Sequence, residues 1–145
     1  MPLLLVLWLI GFAACAQNLQ AGLWHYRIST DLEKLPKEQH ANFQTVQFER
    51  CLSLSDIQNG NALKLQTAAK SADRCVHSDF ELDAGKLSYR YQCDGGSTLI
   101  GQAQGQFSER QFRIHLVSEP KPSFDGITHL HQTLTGQYKG HCKTN

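Results

Sequence analysis

The chain has 145 residues, with 14 Lys and Arg against 13 Asp and Glu, so its formal net charge is +1. This length allows one domain, and the near-neutral balance without a Lys/Arg-rich tract argues against a nucleic-acid-binding protein. The hydrophobic fraction of 41% is too high for a disordered chain and suits a folded globule.

The N-terminal segment is predicted to be a secretory signal peptide. Residues 3–14 form an uncharged apolar run, which is shorter than the about 20 apolar residues that a membrane-spanning helix needs. The small-x-small sequence Ala14-Cys15-Ala16 predicts cleavage between Ala16 and Gln17 and release into the periplasm. The alternative is a lipobox ending at Cys15, which would anchor the protein to the envelope through a lipid on that cysteine.

Residues 1–16 are therefore assigned to the signal peptide, and residues 17–145 to one disulfide-stapled β domain without a transmembrane helix. In the first half of the domain, Trp24, Tyr26 and Ile28 alternate with polar residues, which is the period of a half-buried strand. Further along the chain, the pattern predicts a loop or short helix over 31–42 and a second strand over 43–51.

A short helix is predicted after the second strand. Ser53 stands three residues before Asp56, as in a helix N-cap with an acid in the first turn, so we expect a helix up to about Gln58. Residues 62–72 fit no single pattern. The second half consists of short strands separated by turn signals, with strands near 76–82, 87–91, 97–105, 112–116 and 127–138, and a proline-containing loop over 118–126.

This pattern predicts a mainly β fold, an antiparallel meander curled into a small barrel-like or sandwich sheet. A parallel sheet would need long helical crossovers, and the chain has no room for them.

Four cysteines remain in the domain after export, and an even count in an exported chain indicates two disulfides. Their separations of 24, 18 and 49 residues do not match zinc-ligand spacing. Because Cys75 and Cys93 flank a hairpin turn, we predict that they pair. By elimination, Cys51 pairs with Cys142.

The hairpin register contains a conflict. A three-residue turn sets Cys75 opposite Cys93 but mixes apolar and polar side chains on one face. A two-residue turn, Ala84-Gly85, sets Phe80 opposite Tyr89 and keeps one apolar face, but it leaves the cysteines one residue out of step. A β-bulge between Cys75 and Phe80, or between Tyr89 and Cys93, resolves the conflict.

Several short motifs together resemble a bacterial family known as domain of unknown function 3617. They are Gly22-Leu23-Trp24 at the first strand, Cys51-Leu52-Ser53 before the helix, the cysteine-flanked hairpin, and a closing Gly140-His141-Cys142. The resemblance covers residues 20–143 and implies export, one domain and the cysteine framework, but no activity. Family members usually carry Asp at the position of His141, and many have a Met/Pro/Gly-rich stretch where this chain has the charged segment 31–37.

The chain contains none of the common hydrolase, metalloprotease or phosphate-loop motifs, so we expect neither enzymatic activity nor a cofactor. Two functions remain open, namely a binding module for a small apolar ligand or partner of the envelope, and a purely structural or interaction protein. We expect a monomer that does not bind nucleic acid. The aromatic residues that would line an apolar ligand site are Trp24, Tyr26, Phe48, Phe80, Tyr89, Tyr91 and Phe112.

A metal site on the histidines is a further hypothesis. If the first, sixth and seventh strands are neighbours, the polar-face residues His25, His115, His129 and His131 gather into one patch that could bind Zn²⁺ or Cu²⁺. We expect no carboxylate to orient the His129 ring, and therefore no stoichiometric metal at physiological concentrations.

Overall fold

The computed structural model describes residues 18–64, 75–95, 98–123 and 125–143. The predicted signal peptide, its cleavage site and Cys15 lie outside these ranges, as does most of the ambiguous segment that follows the predicted helix. No helix in the described part of the chain is long and apolar enough to cross a membrane.

Seven antiparallel strands form one sheet, as the sequence predicts. Their spatial order is β2-β1-β7-β6-β5-β4-β3, so β1 is inserted between β2 and β7, and the sheet remains open between β2 and β3. The strands are β1 Gly22–Thr30, β2 Val46–Leu52, β3 Cys75–Asp83, β4 Lys86–Asp94, β5 Thr98–Ser108, β6 Gln111–Lys121 and β7 Leu130–Gly140.

Short helices connect the first strands. Two 3-10 helices, Leu32–Lys34 and Lys37–Asn42, form the charged segment between β1 and β2. The predicted helix is present as α1, Leu54–Gln58. It begins with a capping box, in which the Asp56 amide donates to the Ser53 hydroxyl (3.2 Å) and the Ser53 amide donates to the Asp56 carboxylate (2.9 Å).

The β3–β4 hairpin resolves the predicted conflict in favour of the two-residue turn. Ala84 and Gly85 both have positive φ (46° and 77°), as a type I′ turn requires. Strand β3 then shifts register between Ser78 and Glu81, which places the β-bulge within the first of the two predicted segments. One extra residue in β3 therefore restores the phase.

Both disulfides have the predicted pairing. The shifted register sets Cys75 directly opposite Cys93, with their Cα atoms 4.0 Å apart. Cys51 at the end of β2 bonds Cys142 just after β7, with their Cα atoms 5.6 Å apart. Because β1 lies between β2 and β7, the second bridge ties two strands together across a third.

The sheet curls around the segment that follows α1. The Tyr26 hydroxyl on β1 donates to the Ala62 carbonyl (3.0 Å), and the Tyr89 hydroxyl on β4 donates to the neighbouring Leu63 carbonyl (2.9 Å). Strands β1 and β4 are four places apart in the sheet. Since both reach consecutive residues of one segment, the inner face of the sheet encloses that segment as the core.

Several strand boundaries differ from the predictions in the second half of the chain, and β4 and β5 each end three residues later than predicted. Strand β6 continues to Lys121, through part of the predicted loop, because Ser118 and Pro120 keep the alternation of buried and exposed side chains. The last strand begins at Leu130 rather than near Ile127. Ile127 instead packs with Leu35 and Leu130 in a small cluster beneath the β1–β2 connection.

Candidate functional site

The outer face of the sheet is mostly polar. Strand alternation buries Trp24 and Tyr26 in the core and leaves His25 and Arg27 on the opposite face of β1. The same alternation on β5 exposes three glutamines, Gln102, Gln104 and Gln106.

A groove of about 850 Å³ lies on this face. Arg27, Arg113 and Lys139 give it positive charge, the His25 ring also lines it, and no Asp or Glu of the described residues does so. Amide and hydroxyl side chains form much of the remaining lining: Gln47, Gln106, Gln111, Gln137, Ser108 and Thr135.

A second groove, of about 530 Å³, continues from the first toward β3. The two grooves share Gln106 and Arg113. The second groove contains Lys86 and His115, but also the carboxylates Glu81 and Asp83 near the sheet edge. The shared residues make the two grooves one continuous trough across the strands, which is mostly polar in the first groove and more apolar in the second.

Strand register places three cations in one line across this trough. Arg27 on β1 lies opposite Thr135 on β7, which lies opposite Arg113 on β6. Arg113 lies opposite Gln106 on β5, which lies opposite Lys86 on β4. We call these five residues the cation row. Since adjacent strands are about 4.8 Å apart, its successive cations are about 10 Å apart and it spans about 19 Å.

The two arginines of the row have no counter-ion in the described part of the chain. Among the described residues, neither Arg27 nor Arg113 forms an ion pair. By contrast, Arg90, on the same face, lies 3.9 Å from the Asp79 carboxylate. Because a guanidinium presents a planar set of donors that matches carboxylate and phosphate oxygens, two unpaired guanidiniums form an anion-binding arrangement.

Amide and carboxylate side chains lie beside the basic residues of the trough. The imidazole Nε2 of His25 is 3.0 Å from Gln47 Oε1, and the Lys139 ammonium donates to Gln137 Oε1 (3.1 Å). Glu49 lies opposite His25 on the edge strand β2, and Asp83 lies opposite Lys86 at the other edge. Acidic side chains therefore lie near both edges of the sheet, and among the described residues none lines the first groove, which holds Arg27 and Arg113.

The predicted histidine patch does not form, although β1, β7 and β6 are neighbours. His25 lies opposite Gln137 and His115 opposite Thr133. These two β7 residues are four apart, or about 13 Å along the strand. Within the described ranges, no three His, Cys, Asp or Glu side chains are placed to hold a metal ion.

Two expectations about His129 are wrong. It precedes β7 instead of sharing a strand face with His131, because the strand begins at Leu130. Its ring is also oriented by a carboxylate, since Nε2 lies 3.2 Å from Glu119 Oε1 on β6. Strand pairing between β6 and β7 brings this acid close, which sequence proximity does not reveal.

The aromatic residues lie on the inner face and pack against one another. Tyr26 and Phe48 stack with ring centroids 5.1 Å apart, and Phe80 stacks on Tyr89 at 5.5 Å. Burial raises the pKa of Tyr26 to about 12 and also raises the pKa of Tyr91. These contacts support a core-packing role for the residues of the predicted apolar ligand face: Trp24, Tyr26, Phe48, Phe80, Tyr89, Tyr91 and Phe112.

Fold and site together define a small antiparallel β protein with one curled sheet, two disulfides and a cation-lined outer face. The chain belongs to the family described as protein of unknown function (DUF3617), whose model matches residues 19–142. No curated protein and no solved structure matches it.

Sequence reasoning missed the cation row. Arg27, Arg113 and Lys86 are far apart in the sequence, and each alternates with apolar neighbours as any exposed strand residue does. Their alignment depends on the placement of β1 beside β7. One signal of a special outer face was present in the sequence, namely the three glutamines at alternate positions of β5. Strand positions more often carry β-branched residues than amides.

Proposed function

We propose that this chain is an exported, non-enzymatic binding protein that holds an acidic ligand in the outer-face groove. The observation that carries the proposal is the pair of guanidiniums, Arg27 and Arg113, which lie on either side of Thr135 and form no ion pair with the described residues. Their Cα atoms are about 10 Å apart, so each side chain can hold an acidic group of one ligand that passes over the Thr135 hydroxyl.

The composition of the groove supports recognition of a polar anion rather than an apolar molecule. Its side-chain amides both donate and accept hydrogen bonds, which suits a ligand that carries hydroxyl groups beside its acid. The apolar residues of the domain are instead concentrated in the core behind the sheet.

Binding should be tested with the oxidised full domain by calorimetry against inorganic phosphate, citrate and glucuronate at low ionic strength. We expect saturable binding of an acid that weakens as salt rises, because the groove is exposed and its charges are screened. The double variant Arg27→Gln/Arg113→Gln should lose most of this binding.

Arg90→Gln provides the matched control, because Arg90 carries the same charge on the same face but pairs with Asp79 outside the cation row. Equal loss of binding in the control and in the double variant would refute the assignment of the groove. Absence of binding to every acidic probe would refute the function.

Export is proposed on the sequence of residues 1–16. N-terminal sequencing of protein purified from the producing cells should give a chain that begins at Gln17. Full-length protein in the cytosol would overturn export, and a lipidated Cys15 would replace soluble release with envelope anchoring.

A further inference from the structure

We infer that the acidic ligand is a linear polysaccharide chain that lies along the cation row, across the strands, and carries one acidic group per disaccharide. This inference rests on the proposed function and specifies its ligand class. The trough is too long for one small anion, because the cation row alone spans about 19 Å over five strands.

The spacing of the cations indicates the repeat of the ligand. Arg27, Arg113 and Lys86 each stand two strand spacings, or about 10 Å, from the next cation. Two linked pyranose rings in an extended chain cover a comparable length. A polymer with an acid on every second sugar therefore sets successive acids against successive cations of the row.

The residues between the cations suit the neutral sugars of such a chain. Thr135 separates Arg27 from Arg113, and Gln106 separates Arg113 from Lys86. A hydroxyl and an amide at these two positions can exchange hydrogen bonds with sugar hydroxyls. The alternation of cation and polar neutral side chain in the row thus matches an alternation of acidic and neutral sugars.

The outer face is less suited to other extended anions. Single-stranded nucleic acids bind through exposed aromatic rings on which successive bases stack. No aromatic residue is among the exposed large apolar side chains of the described residues, which are Val46, Leu54, Val76, Leu82, Ile100 and Val117. Phe107 lines the first groove but is half-buried, and the described aromatic rings therefore offer little surface to a neutral glycan held only by its sugar faces.

The acidic ends of the trough set the expected extent of the ligand. Asp83 lies opposite Lys86, so a further acidic group beyond Lys86 would meet a carboxylate. At the β1 end, Arg27 lies opposite Gln47, and Glu49 lies two residues further along β2, opposite His25. The row therefore accommodates three acidic groups, one for each cation, that is, a hexasaccharide with three disaccharides.

The test compares hyaluronan oligosaccharides, which carry one carboxylate per disaccharide, with neutral chito-oligosaccharides of the same lengths, inorganic polyphosphate and oligo-dT. Binding is measured by calorimetry on the oxidised full domain at low and physiological salt. We expect the hyaluronan hexasaccharide to bind more tightly than the tetrasaccharide, and both to bind more tightly than the neutral chains.

The decisive variant is Lys86→Gln. It should weaken the hexasaccharide by roughly two- to fivefold, the scale of one exposed ion pair, and leave the tetrasaccharide, whose two acids lie against Arg27 and Arg113, unchanged. Arg27→Gln/Arg113→Gln should weaken both lengths by roughly tenfold, and Arg90→Gln should weaken neither.

The outcomes separate the two proposals. An effect of Lys86→Gln that is the same for both lengths, or absent from both, overturns the inference, as does tighter binding of oligo-dT or polyphosphate. If simple acids bind in an arginine-dependent way but hyaluronan oligosaccharides do not, the inference fails and the proposed function stands. If no acidic probe binds, both fail.

Discussion

Removing the Cys51–Cys142 bridge should destabilise the domain more than removing Cys75–Cys93. The two cysteine pairs are separated by 91 and 18 residues. In the chain-entropy model, closing loops of these lengths restricts the unfolded chain by about 4.6 and about 3.2 kcal/mol respectively. The predicted difference of about 1.4 kcal/mol is large beside a total stability of about 5 to 15 kcal/mol.

The structure adds a second reason for this order. Cys75 and Cys93 join strands that already pair side by side through the β3–β4 hairpin. The longer bridge instead joins the end of β2 to the segment after β7. The first residues of β1 lie between them and pair with the ends of β2 and β7. Without this bridge, β1 is the one strand among the described residues that pairs with the edge strand β2.

The assay is urea unfolding of oxidised domains carrying Cys51→Ala/Cys142→Ala or Cys75→Ala/Cys93→Ala, with the oxidised and reduced parent chains as references. The first variant should have the lower midpoint, and its melting temperature should be roughly 4 to 8 °C below that of the second. Cys93 also packs against the core, so its loss biases the comparison against the prediction. Equal midpoints, or the reverse order, would refute the reasoning from loop length.

Three further predictions concern the core behind the groove. Gly136→Val should cost about 1 to 3 kcal/mol of unfolding free energy, because a Cβ there meets the Phe112 ring. The control Thr135→Val, one residue away on the outer face, should change the unfolding free energy by less than about 0.5 kcal/mol. Equal changes in the two variants would contradict this account. Tyr89→Phe should cost about 1 to 3 kcal/mol in urea unfolding, since it leaves the buried Leu63 carbonyl without its hydroxyl donor; an unchanged midpoint would count against that bond. Burial raises the pKa of Tyr26 from 10.0 to about 12, so the stability it contributes should be complete below pH 10 and lost as pH rises toward 12. Tyr26→Phe should lose stability less steeply over that range, and parallel profiles would exclude Tyr26 as the source.

Much of the fold could be predicted because its determinants are local. The period of two in β1 identifies its buried face, and the cysteines flanking the β3–β4 turn constrain the hairpin enough to require a bulge. The Ser53–Asp56 pair likewise identifies the helix start within four residues of chain.

The errors fall where contacts between distant segments decide the structure. Pro120 and the polar residues around it are typical of a loop, yet β6 continues through them because its inner side chains remain buried between neighbouring strands. His129 has a carboxylate partner only because β6 and β7 pair. The cation row is the extreme case, since Arg27 joins the other two cations only because β1 pairs with β7, which is far from it in the sequence.

One strand register sets the cross-strand neighbours on both the inner and the outer face of β1, β7 and β6. Tyr26, Gly136 and Phe112 form a cross-strand triple inside the sheet, and the missing side chain at the glycine lets the two rings approach to 5.5 Å. Each member of that triple is the chain neighbour of a member of the outer triple Arg27, Thr135 and Arg113. A shift of one residue in the register of β1 or β6 against β7 would turn the aromatic ring to the outer face and its neighbouring arginine to the inner face. That shift is disfavoured because it would bury a charge in the core. The aromatic core therefore fixes the relative positions of the two arginines, so that an exposed groove of flexible side chains is built on a rigid backbone frame.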